Sequence, residues 1–136
     1  MKVLFVVACL VCATVAAPRK QVDLSDDKVL KVAKFATQEL VKYYRNDYLF
    51  KLYKLVYAQH DEERNRYDLE IIIGDTTCET SETDPADIDD CEFQSAPATY
   101  KVCQVILLPD GIINEYKLFS ARCFLWIKPT DKPTVV

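Results

Sequence analysis

The stretch that decides the fold runs from Tyr67 to Cys123. It opens with Tyr67-Asp68-Leu69-Glu70-Ile71-Ile72-Ile73-Gly74-Asp75-Thr76-Thr77-Cys78 and later contains Cys103-Gln104-Val105-Ile106-Leu107-Leu108-Pro109-Asp110-Gly111. In the first segment Tyr67, Leu69, Ile71 and Ile73 alternate with Asp68 and Glu70, the pattern of a strand with one buried face. The second segment reads as another strand that reaches a tight turn at Asp110-Gly111, a hairpin signal. Ile113 to Ile127 returns as the last strand and brings Cys123 back near Cys103. Cys78, Cys91, Cys103 and Cys123 all lie in this stretch, spaced as C-x12-C, x11, then C-x19-C.

Upstream, Met1 to Ala16 has Lys2, an apolar run from Val3 to Val15 and small residues, the pattern of a secretory signal peptide. The run is too short to span a bilayer. Cleavage after Ala16 keeps Pro18 from becoming the first residue, and it removes Cys9 and Cys12. The mature chain, 17–136, is one domain of about 120 residues, with loose ends expected at 17–24 and 129–136. Four cysteines in a secreted chain read as two disulfides, with three pairings open. Loss of the single charge on Lys2 takes the formal net charge from −4 to −5. A net negative chain without a basic stripe argues against nucleic acid or an anionic membrane as partner. No Asn-x-Ser/Thr sequon occurs, and the chain is expected to be a monomer.

Ser25 is the expected helix N-cap, followed by Asp26 and Asp27, whose charge suits the helix dipole. Val29, Val32, Ala33, Ala36, Leu40 and Tyr43 recur at spacings of three and four and form one apolar face. Asn46-Asp47 is a turn signal that ends this helix. Tyr48 to Gln59 reads as a strand, Gln59 to Asn65 as a polar hairpin loop, and Glu79 to Glu92 as an acidic segment. One helix followed by four antiparallel strands is an α+β arrangement with the helix across one sheet face.

These features together resemble a secreted, type 2 cystatin. The resemblance rests on the order of elements, Gly74-Asp75-Thr76-Thr77-Cys78, Phe35-Ala36, Tyr67-Asp68-Leu69-Glu70, Cys91-Glu92-Phe93 and the Cys-x19-Cys hairpin. It implies a cystatin-like fold, with an N-terminal helix packed across a four- to five-stranded antiparallel sheet. It also implies the pairs Cys78–Cys91 and Cys103–Cys123. The activity it implies is reversible, non-catalytic, cofactor-free inhibition of papain-like cysteine proteases.

The family's inhibitory wedge has three parts. The first is a glycine ahead of the helix, but the two glycines here are Gly74 and Gly111. The second is a Gln-x-Val-x-Gly hairpin, and alignment on Tyr67-Asp68-Leu69-Glu70 places His60, Asp61, Glu62, Glu63 and Arg64 there. Glu62 then stands at the valine position and Arg64 at the glycine. Three carboxylates desolvated in a protease cleft would cost several kcal/mol unless paired. The third is a Pro-Trp pair in the last hairpin, where Pro109, Asp110, Gly111 and Ile112 stand without a tryptophan; Trp126 lies beyond Cys123. Some cystatins also block legumain-type proteases through a Ser-Asn-Asp turn. The corresponding candidate is Asn46 and Asp47 in Arg45-Asn46-Asp47, a sequence that also reads as an ordinary helix-ending turn.

Other chemistry finds little support. His60 is the single histidine, so a catalytic triad would have to be built around it, and a Cys–His dyad needs a free thiol. The chain is therefore read as a non-enzyme. Asp84, Asp87, Asp89 and Asp90 have the oxygens a hard cation takes, without the glycine turn and spacing of a known calcium loop. That segment is read as a solvated face, with no metal assigned. Two readings follow: a secreted inhibitor of a papain-like or legumain-like protease with a weakened wedge, or a non-inhibitory binding or structural protein on the same scaffold.

Overall fold

The computed structural model describes residues 20–95, 99–111 and 116–127, so the leader expected at 1–16 and the loose end expected at 129–136 lie outside the described residues. The elements are β1 (Lys20–Gln21), α1 (Asp27–Tyr44), β2 (Tyr48–Asp61), β3 (Arg66–Glu79), β4 (Tyr100–Pro109) and β5 (Tyr116–Trp126), with a 3-10 helix at Pro85–Asp90. All neighbouring strands are antiparallel, in the order β1-β2-β3-β4-β5. This is the expected α+β arrangement. Among the described residues no helix is long and apolar enough to cross a membrane.

The core is built by two matching periodicities. Val29, Val32, Ala33, Ala36 and Leu40 of α1 are buried, as their spacing predicts. They face Tyr67, Leu69, Ile71 and Ile73 of β3, buried as the alternation predicts, and Cys103, Val105 and Leu107 of β4 beside them. Each aliphatic side chain removed from water contributes about 1.5–3 kcal/mol before entropy is counted. Thr37 joins the buried face because its hydroxyl donates to the Ala33 carbonyl at 2.9 Å.

The helix departs from expectation at both ends. Its N-cap is Asp26, whose carboxylate accepts from the Lys28 amide at 3.0 Å. Ser25 does not cap, because its hydroxyl donates to Asp23 at 2.7 Å. At the other end Val41 is buried, while Tyr43 is 67 % exposed and packs edge-on against Tyr44. The helix stops at Arg45, which takes a left-handed φ of 46° and returns its amide to Val41.

Three connections also differ. Lys20 and Gln21, expected to be loose, pair with His60 and Gln59 as a short edge strand, continued by a hydrogen bond from the Val22 amide to the Ala58 carbonyl. β2 extends to Asp61, so the first hairpin loop narrows to Glu62–Asn65. The last connection differs from the tight turn expected at Asp110-Gly111: the outermost described pair of this hairpin is Pro109 with Tyr116. Gly111 does not have the positive φ that a tight hairpin of that type needs at its central residues. Ile112 and Ile113 lie outside the described residues.

Both disulfides form as the resemblance implies. Cys103 and Cys123 stand directly opposite on β4 and β5, 4.1 Å apart at Cα, and Cys78–Cys91 fastens the 3-10 segment to the end of β3.

Candidate functional site

One cross-strand row sets the end of the sheet where the wedge would lie: Lys20, His60, Tyr67, Leu107 and Leu118 stand side by side across all five strands. The start of β1, the first hairpin and the end of β4 therefore meet at one end of the sheet. These are the regions in which the resemblance looks for the three wedge parts.

The first hairpin is closed by its own side chains. Asp61 Oδ1 accepts from the amides of Glu63 (3.1 Å) and Arg64 (3.3 Å), so this carboxylate replaces main-chain partners inside the turn. The positive φ falls on Asn65 at 50°, not on Arg64. Asparagine tolerates the left-handed region better than most residues, so the turn needs no glycine at position 64. Asn65 Oδ1 also accepts from the Tyr116 hydroxyl at 2.9 Å, which ties the first hairpin to β5. His60 Nε2 lies 2.9 Å from the same oxygen. A carbonyl oxygen only accepts, so this nitrogen carries the hydrogen. The imidazole stacks on Tyr67 at 4.2 Å, and Tyr67 meets Tyr116 edge-on. Arg66 Nε donates to Asp68 at 2.8 Å, bracing the first residues of β3. Above this base Glu62, Glu63 and Arg64 are exposed.

Sequence reasoning named His60 to Arg64 but not Asn65 or Tyr116, which hold the tip in shape. An asparagine at the end of a charged, glycine-free turn was the available signal. In the second hairpin Pro109 and Gly111 are exposed and Asp110 is half-buried, and Ile112 is outside the described residues. Trp126 sits at the opposite end of the sheet, packed on Tyr53 and Tyr100.

The candidate legumain turn lies at that opposite end. Asn46 Nδ2 donates to the Tyr48 carbonyl (3.0 Å) and to Asp75 Oδ1 (3.1 Å). The Asn46 carbonyl accepts from the Thr80 hydroxyl at 2.7 Å, and the Asp47 carbonyl accepts from the Thr80 amide. The Asn46 amide group thus points inward as a strut between helix end and sheet. Burial raises the Asp75 pKa above the ordinary carboxylate value, opposed by the Lys101 charge and the Asn46 hydrogen bond. In the acidic segment Asp84 caps the 3-10 helix through the Ala86 amide, and Asp89 lies 3.7 Å from Lys34. Among the described residues no group of three or more His, Cys, Asp or Glu side chains is placed to hold a metal ion.

A cystatin domain model matches residues 19–107, well over half of the 136-residue chain. Dimeric human cystatin F superposes with a TM-score of 0.70 at 22 % identity, covering 81 % of this chain and 88 % of that one. Al-CPI superposes at 0.67 with 21 % identity, covering 80 % and 99 %. Mouse fetuin-B superposes at 0.64 with 21 % identity, covering 79 % of this chain and 37 % of that longer one. A comparison with curated protein sequences finds no match. With the helix, the five-strand meander, both disulfides and the domain match in agreement, the chain belongs to the cystatin family.

Proposed function

We propose that this protein is a secreted cystatin that keeps the binding scaffold but has a weakened or lost grip on papain-like cysteine proteases. Secretion is inferred from the leader at 1–16, removed after Ala16 to leave a mature domain at 17–136, and from two disulfides, which persist in oxidising compartments. The observation that carries the reading is the first hairpin, which presents exposed Glu62 and Glu63 where the family presents an apolar tip. Entry into a protease cleft would strip water from both carboxylates, a penalty of several kcal/mol without cationic partners. The absence of a glycine ahead of α1 and of a tryptophan in the second hairpin removes two further contacts. Asn46 and Asp47 are assigned a structural role, because the Asn46 side chain is already committed to Tyr48 and Asp75. It would have to break both bonds to enter an asparagine-reading pocket.

The test is a graft. Replacing His60-Asp61-Glu62-Glu63-Arg64 with Gln-Val-Val-Ala-Gly, together with Ile112→Trp, should strengthen papain inhibition by orders of magnitude. A graft that stays folded and gains nothing would contradict the assignment of this end as the wedge.

A further inference from the structure

The outer face of the sheet, away from α1, carries a second cross-strand row: Tyr57, Glu70, Gln104 and Arg122, on four successive strands. With Asp68, Ile106 and Ser120 they line an open groove of about 490 Å³. The side chains of Glu70, Gln104 and Arg122 make no hydrogen bond or ion pair with one another or with other described residues. Glu70 and Arg122 stand two strands apart, roughly 10 Å at about 4.8 Å per strand, with Gln104 between them. Elsewhere on this face Arg66 and Asp68 are paired at 2.8 Å. The next row along, Ile72, Val102 and Phe124, is apolar, and Phe124 is 56 % exposed.

We infer that this face docks a second copy of the chain about a two-fold axis over Gln104, pairing Glu70 of each copy with Arg122 of the other. An axis lying along β4 keeps position along the strand and exchanges the β3 and β5 sides. It therefore sets the unpaired carboxylate of one copy against the unpaired guanidinium of the other, twice, and brings the two Gln104 amides together on the axis. The row is self-complementary in charge, as an isologous interface requires, and the adjoining apolar row supplies the contact that charged pairs alone do not. The assignment goes beyond the monomer expected from sequence. It uses neither hairpin tip and is independent of the wedge reading.

The experiment is sedimentation of the mature, disulfide-bonded protein across micromolar to millimolar concentration, with Glu70→Arg, Arg122→Glu and the double variant. The native protein should self-associate. Each single reversal should weaken association at least tenfold, because like charges then face each other, and the double variant should restore it. An equimolar mixture of the two single variants should form a heterodimer in which both contacts are Arg against Glu. A native protein monomeric at millimolar concentration would overturn the inference. So would association indifferent to the reversals, or a mixture that fails to associate.

Discussion

The two ends of the sheet are built with the same tools for different ends. At each, an asparagine side chain joins elements distant in sequence: Asn46 ties the helix exit to β3 through Asp75, and Asn65 ties the first hairpin to β5 through Tyr116. At the Asn46 end Asn46, Asp75 and Thr80 are bound into the frame, and a disulfide closes it. At the Asn65 end the frame stops one layer lower, and Glu62, Glu63 and Arg64 project beyond it. The backbone shape of the first hairpin is set by Asp61 and Asn65, so it does not depend on which residues occupy the tip. That separation lets the hairpin keep its shape while Glu62, Glu63 and Arg64 project from it.

The contrast can be broken from either side. The largest effect is expected at the closed end: Cys78→Ser with Cys91→Ser should lower stability by about 2–5 kcal/mol in urea unfolding, while hydrogen exchange at residues 61–66 stays near native. Equal loosening at both ends would mean that the two frames are not independent. At the open end, Asn65→Ala should cost about 1–3 kcal/mol, because it strands the Tyr116 hydroxyl and puts alanine at a left-handed φ. Asn65→Gly should cost less, since glycine accepts that φ. Equal losses for the two variants would assign the whole effect to the hydrogen bonds.

Asp61→Ala should cost roughly 0.5–1.5 kcal/mol and speed amide exchange at Glu63 and Arg64, the two donors to its carboxylate. The smallest effect concerns pH. The folded protein holds the proton on Asp75 to a higher pH than the unfolded chain does. The contribution of Asp75 to stability is therefore fully present below the ordinary carboxylate pKa and is lost as pH rises through the raised value. Asp75→Asn removes that loss. Urea midpoints of Asp75→Asn and native protein should draw apart in favour of the variant as pH rises through this window, and parallel curves would contradict the burial of Asp75.

Much of the fold was legible because two periodicities each pointed to one buried face: the three-and-four spacing from Val29 to Leu40 and the alternation from Tyr67 to Ile73. The disulfide pairing was legible through the resemblance, not through spacing. Features that depend on a local contest or a distant partner were not. Ser25 and Asp26 are both good caps, and Asp23 decides between them by taking the Ser25 hydroxyl. A two-residue strand at Lys20–Gln21 has no periodicity of its own and exists because β2 offers it an edge. Asp110-Gly111 has the residues of a tight turn, yet Gly111 lacks the positive φ such a turn needs, and the outermost described pair is Pro109 with Tyr116. At the candidate site the acidic tip was readable residue by residue. The relocation of the left-handed position to Asn65 was not, because it depends on Tyr116, distant in sequence and adjacent only once β5 is in place.

The most direct measurement is the inhibition constant of the mature, unaltered protein against papain. A charged first hairpin on an intact scaffold predicts micromolar or weaker inhibition, or none. A nanomolar constant, about −12 kcal/mol of binding free energy, would contradict the account and return the protein to the tight-binding inhibitors of its family.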